Sequence, residues 1–226
     1  MIFWKRKLAN LLPWPIQKRI IRNLWIDPYQ DIHDKYQAIF IHVPKNAGTS
    51  VCYTIFDKEV SHSPLLNYKA HNEEKFENYY KFTFVRNPWD RLVSAFTFLK
   101  QGGMIREDKK WAEKHLSRFD SFSEFVTALQ SHSFRKKVLR WNHFKPQYTF
   151  LINENGEIGV DFVGRYENLY EDFEVVRRKL RTKDQLRHLN ETKKRDYREY
   201  YDKQLRQIVS DIYKKDIELF NYKFAN

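Results

Sequence analysis

The chain has 226 residues, of which 42% are hydrophobic and 17% aromatic, and this apolar content excludes an intrinsically disordered protein. Its 41 lysines and arginines outnumber its 29 acidic residues, and the net charge of +12 favours an anionic partner: nucleic acid, an acidic polysaccharide, a polyanionic cofactor or a membrane face. Cys52 is the only cysteine, which excludes a scaffold held by intrachain disulfides and is compatible with a reducing compartment.

Residues 1–26 are basic and apolar, with tryptophans interleaved among lysines and arginines. Because three consecutive basic residues interrupt the apolar run, it falls short of the roughly 20 residues that span a bilayer, and no signal-peptide cleavage site follows it. Two interpretations stay open: contact with a membrane interface, or a short amphipathic segment packed on the domain. We expect residues 1–30 to be an appendage to one domain over 31–226, in a cytoplasmic protein that touches the inner membrane face through residues 1–26.

Two short apolar runs, Tyr36 to Val43 and Lys81 to Val85, are typical of strands buried on both faces. Each leads through a loop into a predicted helix. The first helix begins near Gly48, and the second begins at Asn87, an N-cap residue followed by proline. This alternation predicts an α/β fold with three layers, in which helices flank a central parallel sheet. Ligands of such sheets bind at the carboxyl ends of the strands, where both loops lie.

The second half of the chain is less regular. Residues 102–118 are charged and weakly patterned, which favours a mobile loop with a short helix that shapes the choice of ligand. An Asn-Gly pair favours a hairpin turn between strands over 148–152 and 158–163. Periodicity and charge pattern predict helices over 167–180 and 196–213.

The first loop, residues 42–50, reads HVPKNAGTS and combines the groups that hold a phosphate-like anion. The start of a helix supplies N–H groups and a partial positive charge. Lys45 adds a full charge, Gly48 lets the backbone approach a ligand closely, and Thr49 and Ser50 add hydroxyl groups. In the Walker A motif, by contrast, the lysine directly follows the last glycine, so a metal-dependent nucleoside triphosphatase is disfavoured.

The second loop predicts a second anion site. Arg86 ends the second apolar run, and Ser94 lies two turns into the following helix. An arginine offers a bidentate fork and a serine offers a hydroxyl, so the two could converge on a phosphate. A ligand with two anionic ends, held by two successive strand–helix loops, fits a 3′,5′-substituted adenosine.

Together these segments resemble the sulfotransferases that use 3′-phosphoadenosine-5′-phosphosulfate (PAPS), and most of all the carbohydrate branch with heparan-sulfate 2-O- and chondroitin/dermatan sulfotransferases and bacterial relatives. The H-x-P-K-x-x-G-T-S loop looks like the family's 5′-phosphosulfate loop, and F-x-R-N-P-x-x-R-L-x-S looks like its 3′-phosphate loop. Further similarity runs through 69–71, 143–147 and 163–169, and in all covers roughly residues 36–224. The resemblance implies a P-loop-like α/β fold and transfer of a sulfuryl group from PAPS to a hydroxyl of a glycan or glycolipid, with no metal required.

The resemblance also implies roles for individual residues. Lys45 would contact the 5′-phosphosulfate and help the leaving group depart. Arg86 and Ser94 would bind the 3′-phosphate. Lys193 and Lys194 would close over the nucleotide, or else lie in a solvated loop. The cradle around the phosphosulfate would consist of Asn46, Ala47, Gly48, Thr49 and Ser50.

His71 matches the histidine that serves as general base in related sequences, and an imidazole suits this role because it titrates near neutrality. Glu73 and Glu74 are alternatives for the base. His143 and Gln147 are expected to contact the acceptor.

Three other interpretations stay open. A basic nucleic-acid-binding protein would also carry this charge, although the aromatic residues recur at core spacing and form no recognisable reader module. A nucleotide kinase would require magnesium-dependent turnover of ATP. A degenerate sulfotransferase fold would bind the nucleotide without catalysis.

Overall fold

The computed structural model describes residues 12–187 and 195–225. Helices and strands alternate along them, so the predicted α/β class is confirmed. The strands are β1 (Ala38–Ile41), β2 (Tyr80–Val85) and β3 (Phe162–Arg165). The helices are α1 (Trp14–Leu24), α2 (Asp31–Tyr36), α3 (Gly48–Ile55), α4 (Leu65–His71), α5 (Glu73–Asn78), α6 (Pro88–Lys100), α7 (Arg106–His115), α8 (Phe122–Ala128), α9 (His132–Val138), α10 (Tyr148–Leu151), α11 (Leu169–Leu180), α12 (Lys203–Ile212) and α13 (Lys214–Leu219). Short 3-10 helices cover Tyr166–Asn168 and Tyr197–Tyr200.

The described chain forms two compact units, each built from several stretches. The predicted boundary at residue 30 stays a prediction. Unit 1 contains residues 12–43, 48–84 and 148–187. Unit 2 contains residues 44–47, 85–147 and 195–225.

The strands of the described chain form one sheet in the order β1-β2-β3. β1 and β2 are parallel, with Ala38 opposite Tyr80 and Ile41 opposite Thr83. The Thr83 hydroxyl donates to the carbonyl of Ile41 over 2.8 Å, which ties the two strands near their ends. Because the strands are parallel, their carboxyl ends lie at the same edge of the sheet, as the sequence predicted.

The core of unit 1 forms where helices cover the sheet. Helix α3 contributes Val51, Cys52 and Ile55, and α11 contributes Phe173 and Val176. These positions recur at helical spacing, so one face of each helix is apolar. Burial raises the pKa of the Cys52 thiol to about 12, which keeps it protonated and unreactive at neutral pH.

Helix α6 begins as its sequence predicts. The Asn87 side chain accepts a hydrogen bond from the backbone N–H of Trp89 over 3.1 Å, and Pro88 occupies the first helical position. A proline is tolerated there because the first N–H of a helix has no partner within the helix. The loop before α6 therefore has a defined end.

The predicted hairpin over 148–163 is wrong. Residues 148–151 form the helical turn α10, and a single antiparallel bridge joins Ile152 to Ile158. The turn itself forms, because the Asn153 side chain accepts hydrogen bonds from the backbone N–H groups of Asn155 and Glu157. Such local bonds satisfy the backbone without a strand ladder, and burial in the tertiary structure overrides the β-propensity of residues 148–152.

Several predicted boundaries move. The first strand is limited to residues 38–41, and the charged stretch 102–118 contains the ten-residue helix α7. The helix predicted over 196–213 is broken into a 3-10 turn and α12. Helix ends depend on capping and burial rather than on periodicity, so they are the least predictable feature.

Helix α1 packs on unit 1 through one side. The Trp14 indole donates to Glu73 over 2.7 Å, and the Lys18 amine lies 3.0 Å from the same carboxylate. Gln17 of the same helix is buried. This side of α1 therefore packs on unit 1, and both interpretations of residues 1–26 as a whole stay predictions. No helix within residues 12–187 and 195–225 is both long enough and apolar enough to cross a membrane.

Candidate functional site

The first loop holds a strained backbone. Lys45 has a φ of 74° and Ala47 a φ of 61°, both in the left-handed region that only glycine adopts freely. Each such residue costs roughly 1–2 kcal/mol. Strain of this kind persists only where the surrounding structure holds it in place, and it clusters at functional sites.

Two arginines of the second loop hold the first loop from within unit 2. The buried Arg91 guanidinium donates to the carbonyl of Pro44 over 3.0 Å and to that of Lys145 over 2.9 Å. The Arg86 guanidinium donates to the carbonyl of Lys45 over 3.1 Å. Hydrogen bonds from charged donors are among the stronger ones. The hydrogen bonds from Arg86 and Arg91 therefore stabilise the strained backbone of the first loop.

Gln147 links the same two loops. Its side-chain oxygen accepts from the Asn46 amide over 2.8 Å and from the Arg86 backbone N–H over 2.9 Å. Its amide nitrogen donates to the Arg86 carbonyl over 2.8 Å. The residue is 0% exposed and ties the two loops together. Contact of Gln147 with the acceptor stays a prediction.

Replacing Gln147 with alanine is expected to lower the free energy of unfolding by on the order of 3 kcal/mol, because Asn46 and the Arg86 backbone would lose buried partners. Urea denaturation measures this loss. Gln130 is exposed, and its replacement with alanine is the matched control, with an expected change within about 0.5 kcal/mol. Equal stability of the two variants would contradict the role of Gln147 as a link between the loops.

The Lys45 amine lies over the Phe98 ring, 3.8 Å from its centroid. The pKa of Lys45 is lowered to about 8, mainly by burial and also by the nearby Arg86 guanidinium, while Asp108 acts in the opposite direction. The amine therefore carries its charge at pH 7 in a setting that disfavours charge. An arriving anion would relieve that cost, which suits an anion-binding lysine.

His143 belongs to the same group of side chains. Its Nε2 lies 3.2 Å from Asp108 Oδ1, and its ring centroid is 5.0 Å from that of Phe98. Burial raises the pKa of Asp108, but hydrogen bonds from His143 and the backbone outweigh it, so that the net pKa is lowered. Nothing in the local sequence marks Phe98 or Asp108, and both were missed. Contact of His143 with the acceptor stays a prediction.

Arg86 is oriented by Asp90, one helical turn later. Its Nε and Nη2 atoms lie 2.7 and 2.6 Å from Asp90 Oδ2. Arg86 and Ser94 are both 5% exposed, with Ser94 on α6 two turns beyond the helix start. Fixing the guanidinium in advance lowers the entropy cost of binding a phosphate. The 3′-phosphate role of these residues stays a prediction.

In unit 1, packing of the His42 ring against the start of α3 explains why residue 48 is a glycine. A Cβ atom there would lie 2.0 Å from the His42 ring, so any side chain would collide with it. His42 is buried at the end of β1, and its Nδ1 donates to the Val60 carbonyl over 3.0 Å. His42 is thus a packed residue directly after the strand. Ser50 is buried in the first turn, beside the half-buried Thr49.

Replacing Gly48 with alanine is expected to lower the free energy of unfolding by about 1–3 kcal/mol, the usual cost of overpacking. Urea denaturation measures the loss. Replacing His42 with alanine in the same chain removes the ring that collides, so the double variant should be more stable than the sum of the two single changes predicts. Additive losses would show that the His42 ring is not what excludes a side chain at 48.

His71 ends α4 in unit 1 and is half-buried. Its Nδ1 lies 2.9 Å from the Asn67 carbonyl, so Nδ1 carries the proton and Nε2 of the neutral ring is the proton acceptor. Hydrogen bonds from Trp14 and Lys18 lower the pKa of Glu73, which makes that carboxylate a weaker base. The structure brings Lys45, Asn46, Arg86 and Gln147 together in unit 2, and it describes His71 separately in unit 1. Lys193 and Lys194 lie outside the described residues.

In the described part of the chain, no group of three or more His, Cys, Asp or Glu side chains is arranged to hold a metal ion. The absence of a metal requirement stays a prediction.

Loops that carry the cations Lys45 and Arg86 follow two parallel strands, at the edge of the sheet where α/β proteins bind their ligands. Over residues 29–223 the chain matches the family model described as the sulfotransferase family. The chain belongs to the sulfotransferase family, and the resemblance drawn from its two loops is confirmed.

Three relatives illustrate the match. Carbohydrate sulfotransferase 11 of Rattus norvegicus is 29% identical over 209 residues, which cover 82% of this chain and 54% of the relative. The Mus musculus protein of the same name is 28% identical over the same shares. An uncharacterised protein of Archaeoglobus fulgidus is 34% identical over 111 residues, 49% of this chain and 75% of that protein. The chain thus spans about half the length of the two carbohydrate sulfotransferases. No solved structure matches it significantly.

Proposed function

We propose that the protein is a sulfotransferase that moves a sulfuryl group from PAPS to a hydroxyl of a glycan or glycolipid. The observation that carries the proposal is the strained first loop, whose Pro44 and Lys45 carbonyls are held by Arg91 and Arg86. A loop held under strain next to a partly desolvated lysine is preorganised for an anion. Membership of the sulfotransferase family and the names of the two carbohydrate sulfotransferases support the reaction and the acceptor class.

In this proposal the fold is P-loop-like, and each loop binds one end of PAPS. Lys45 and the N–H groups at the start of α3 hold the 5′-phosphosulfate. Arg86 and Ser94 hold the 3′-phosphate. The donors are cationic side chains, backbone N–H groups and the Ser94 hydroxyl, as a nucleotide with two anionic ends requires.

The reaction is an in-line displacement at sulfur. The bond from the acceptor oxygen to sulfur forms while the bond from sulfur to the bridging phosphate oxygen breaks, and His71 Nε2 receives the acceptor proton. Lys45 stabilises the charge that develops on the leaving phosphate, by analogy with phosphoryl transfer.

The experiment that tests the proposal has two parts. Calorimetry with adenosine 3′,5′-bisphosphate, the expected product, should show saturable binding. Transfer of radiolabelled sulfate from labelled PAPS should then be measured across sugars, glycolipids, phenols and steroids, and should favour a carbohydrate. If folded protein gives no heat of binding with adenosine 3′,5′-bisphosphate, the proposal is wrong. Salt-dependent binding to random oligonucleotides that the bisphosphate does not compete with would favour a nucleic-acid-binding protein.

A further inference from the structure

The outward side of α1 exposes an unusual amount of apolar surface. Among residues 12–187 and 195–225, nine large hydrophobic side chains are exposed, and four of them lie within one stretch of 15 residues. The four side chains and their exposed fractions are Leu12 (37%), Ile16 (47%), Leu24 (50%) and Ile26 (90%). Exposed aliphatic side chains scattered singly are ordinary, but a local group marks an interaction surface.

The same stretch is cationic. Residues 12–26 contain three basic residues, Lys18, Arg19 and Arg22, and no aspartate or glutamate. Arg19 and Arg22 are exposed, and they follow Ile16 at intervals of three residues, so all three share one side of the helix. We call this side of the helix, together with the exposed Leu12, Leu24 and Ile26 of the same stretch, the α1 outer face.

The inner side of α1 is anchored in unit 1, which holds the outer face in a fixed orientation. The Lys69 amine lies 5.6 Å from the Trp14 ring centroid, in addition to the bonds of Trp14 and Lys18 to Glu73. The helix thus presents its outer face without first having to fold on a partner.

We propose that the α1 outer face binds the surface of an anionic lipid bilayer. An interfacial helix combines apolar side chains that enter the acyl boundary with cations that meet anionic headgroups, and the α1 outer face offers both. A nucleic acid would use the arginines but leave the aliphatic side chains exposed to water. Residues 1–11 of the same chain would bring Lys5, Arg6 and Lys7 against Arg19 and Arg22, and like charges repel.

The test uses the full chain and vesicles of phosphatidylcholine with and without phosphatidylglycerol. Sedimentation should show binding that depends on phosphatidylglycerol. Replacing Arg19 and Arg22 with glutamine should weaken it on the order of 10- to 30-fold, since each cation contributes about 1 kcal/mol at such a surface. Replacing Ile16 and Ile26 with serine should weaken it as well.

Helix α11 offers a matched control, because it also exposes an aliphatic residue and an arginine in unit 1. Val175→Ser with Arg178→Gln should leave vesicle binding unchanged. Equal losses in the control, or binding indifferent to phosphatidylglycerol, would overturn the proposal. The sulfate-transfer assay is read separately, so that failure of one proposal leaves the other standing.

A fluorophore attached to the Ile16→Cys variant shows whether the α1 outer face is covered by a bilayer or by another part of the protein. Its emission should shift to shorter wavelength only when anionic vesicles are added, while a label on Val175→Cys should not respond. A label at position 16 that is already shielded without lipid would mean that residues 1–11 or a second copy cover the face, and would overturn the proposal.

Discussion

Replacing His71 with alanine is expected to lower kcat by about 10²–10⁴-fold, the usual contribution of a general base. The hydrogen bond from Nδ1 to the Asn67 carbonyl leaves Nε2 of the neutral ring as proton acceptor, which is the form a base requires. Affinity for adenosine 3′,5′-bisphosphate should stay nearly unchanged, because this role concerns the acceptor proton and not the nucleotide. Sulfate transfer and calorimetry on the same preparation measure the two quantities.

The matched control replaces Glu73 with glutamine. That side chain accepts hydrogen bonds from Trp14 and Lys18, which lower its pKa, so its loss should change stability more than turnover. If Glu73→Gln abolishes transfer and His71→Ala does not, the carboxylate is the base. Glu74 is exposed at the start of α5, and glutamine there tests the remaining alternative.

Replacing Lys45 with alanine is expected to lower kcat/KM for PAPS by about 10²–10³-fold, the loss typical of one group that stabilises developing charge. Both binding and rate should suffer, since the amine is proposed to contact the phosphosulfate before and during transfer. Lys109 on α7 is exposed, and Lys109→Ala is the control for loss of one positive charge. If kcat/KM falls equally in the two variants, the effect of Lys45→Ala comes from the loss of one positive charge and not from a contact with PAPS.

The pH dependence of binding gives Lys45 a separate signature. Its pKa is lowered to about 8, so the free protein carries the charged amine below that pH and loses it above. An anion binds the charged form better. Affinity for adenosine 3′,5′-bisphosphate, whose phosphate groups are already ionised at pH 7, should therefore change little between pH 7 and about 8 and fall as the pH rises further. In Lys45→Ala this fall should disappear, and its persistence would assign the titration to another group.

The two loops were recognisable from sequence because their chemistry is local. Lys45, Gly48 and Arg86 each stand a few residues from the end of a short apolar run, and parallel pairing brings those ends to one edge of the sheet. The α6 start was equally local, since the Asn87 cap bonds within two residues. Patterns that act over one turn survive folding because no distant contact competes with them.

The hairpin prediction was wrong because the conformation of residues 148–152 depends on distant contacts. Residues 148–152 are rich in β-forming side chains, yet they form α10, with both Phe150 and Leu151 fully buried. β-propensity reflects fit to a half-buried surface, and a distant environment decides whether that surface exists. The Asn153 turn, which needs only its own neighbours, formed as predicted.

The sequence by itself determined the α/β class, the positions of the two strand–helix loops and the family, because these rest on residue types at short spacing. Only the tertiary structure decided that Gln147 links the loops, that Arg91 and Arg86 brace a strained backbone, and that Phe98 and Asp108 surround Lys45. Gln147 and Asn46 are separated by 101 positions along the chain. Contacts between residues so far apart cannot be predicted from the local sequence, because the fold of the intervening chain decides which side chains meet.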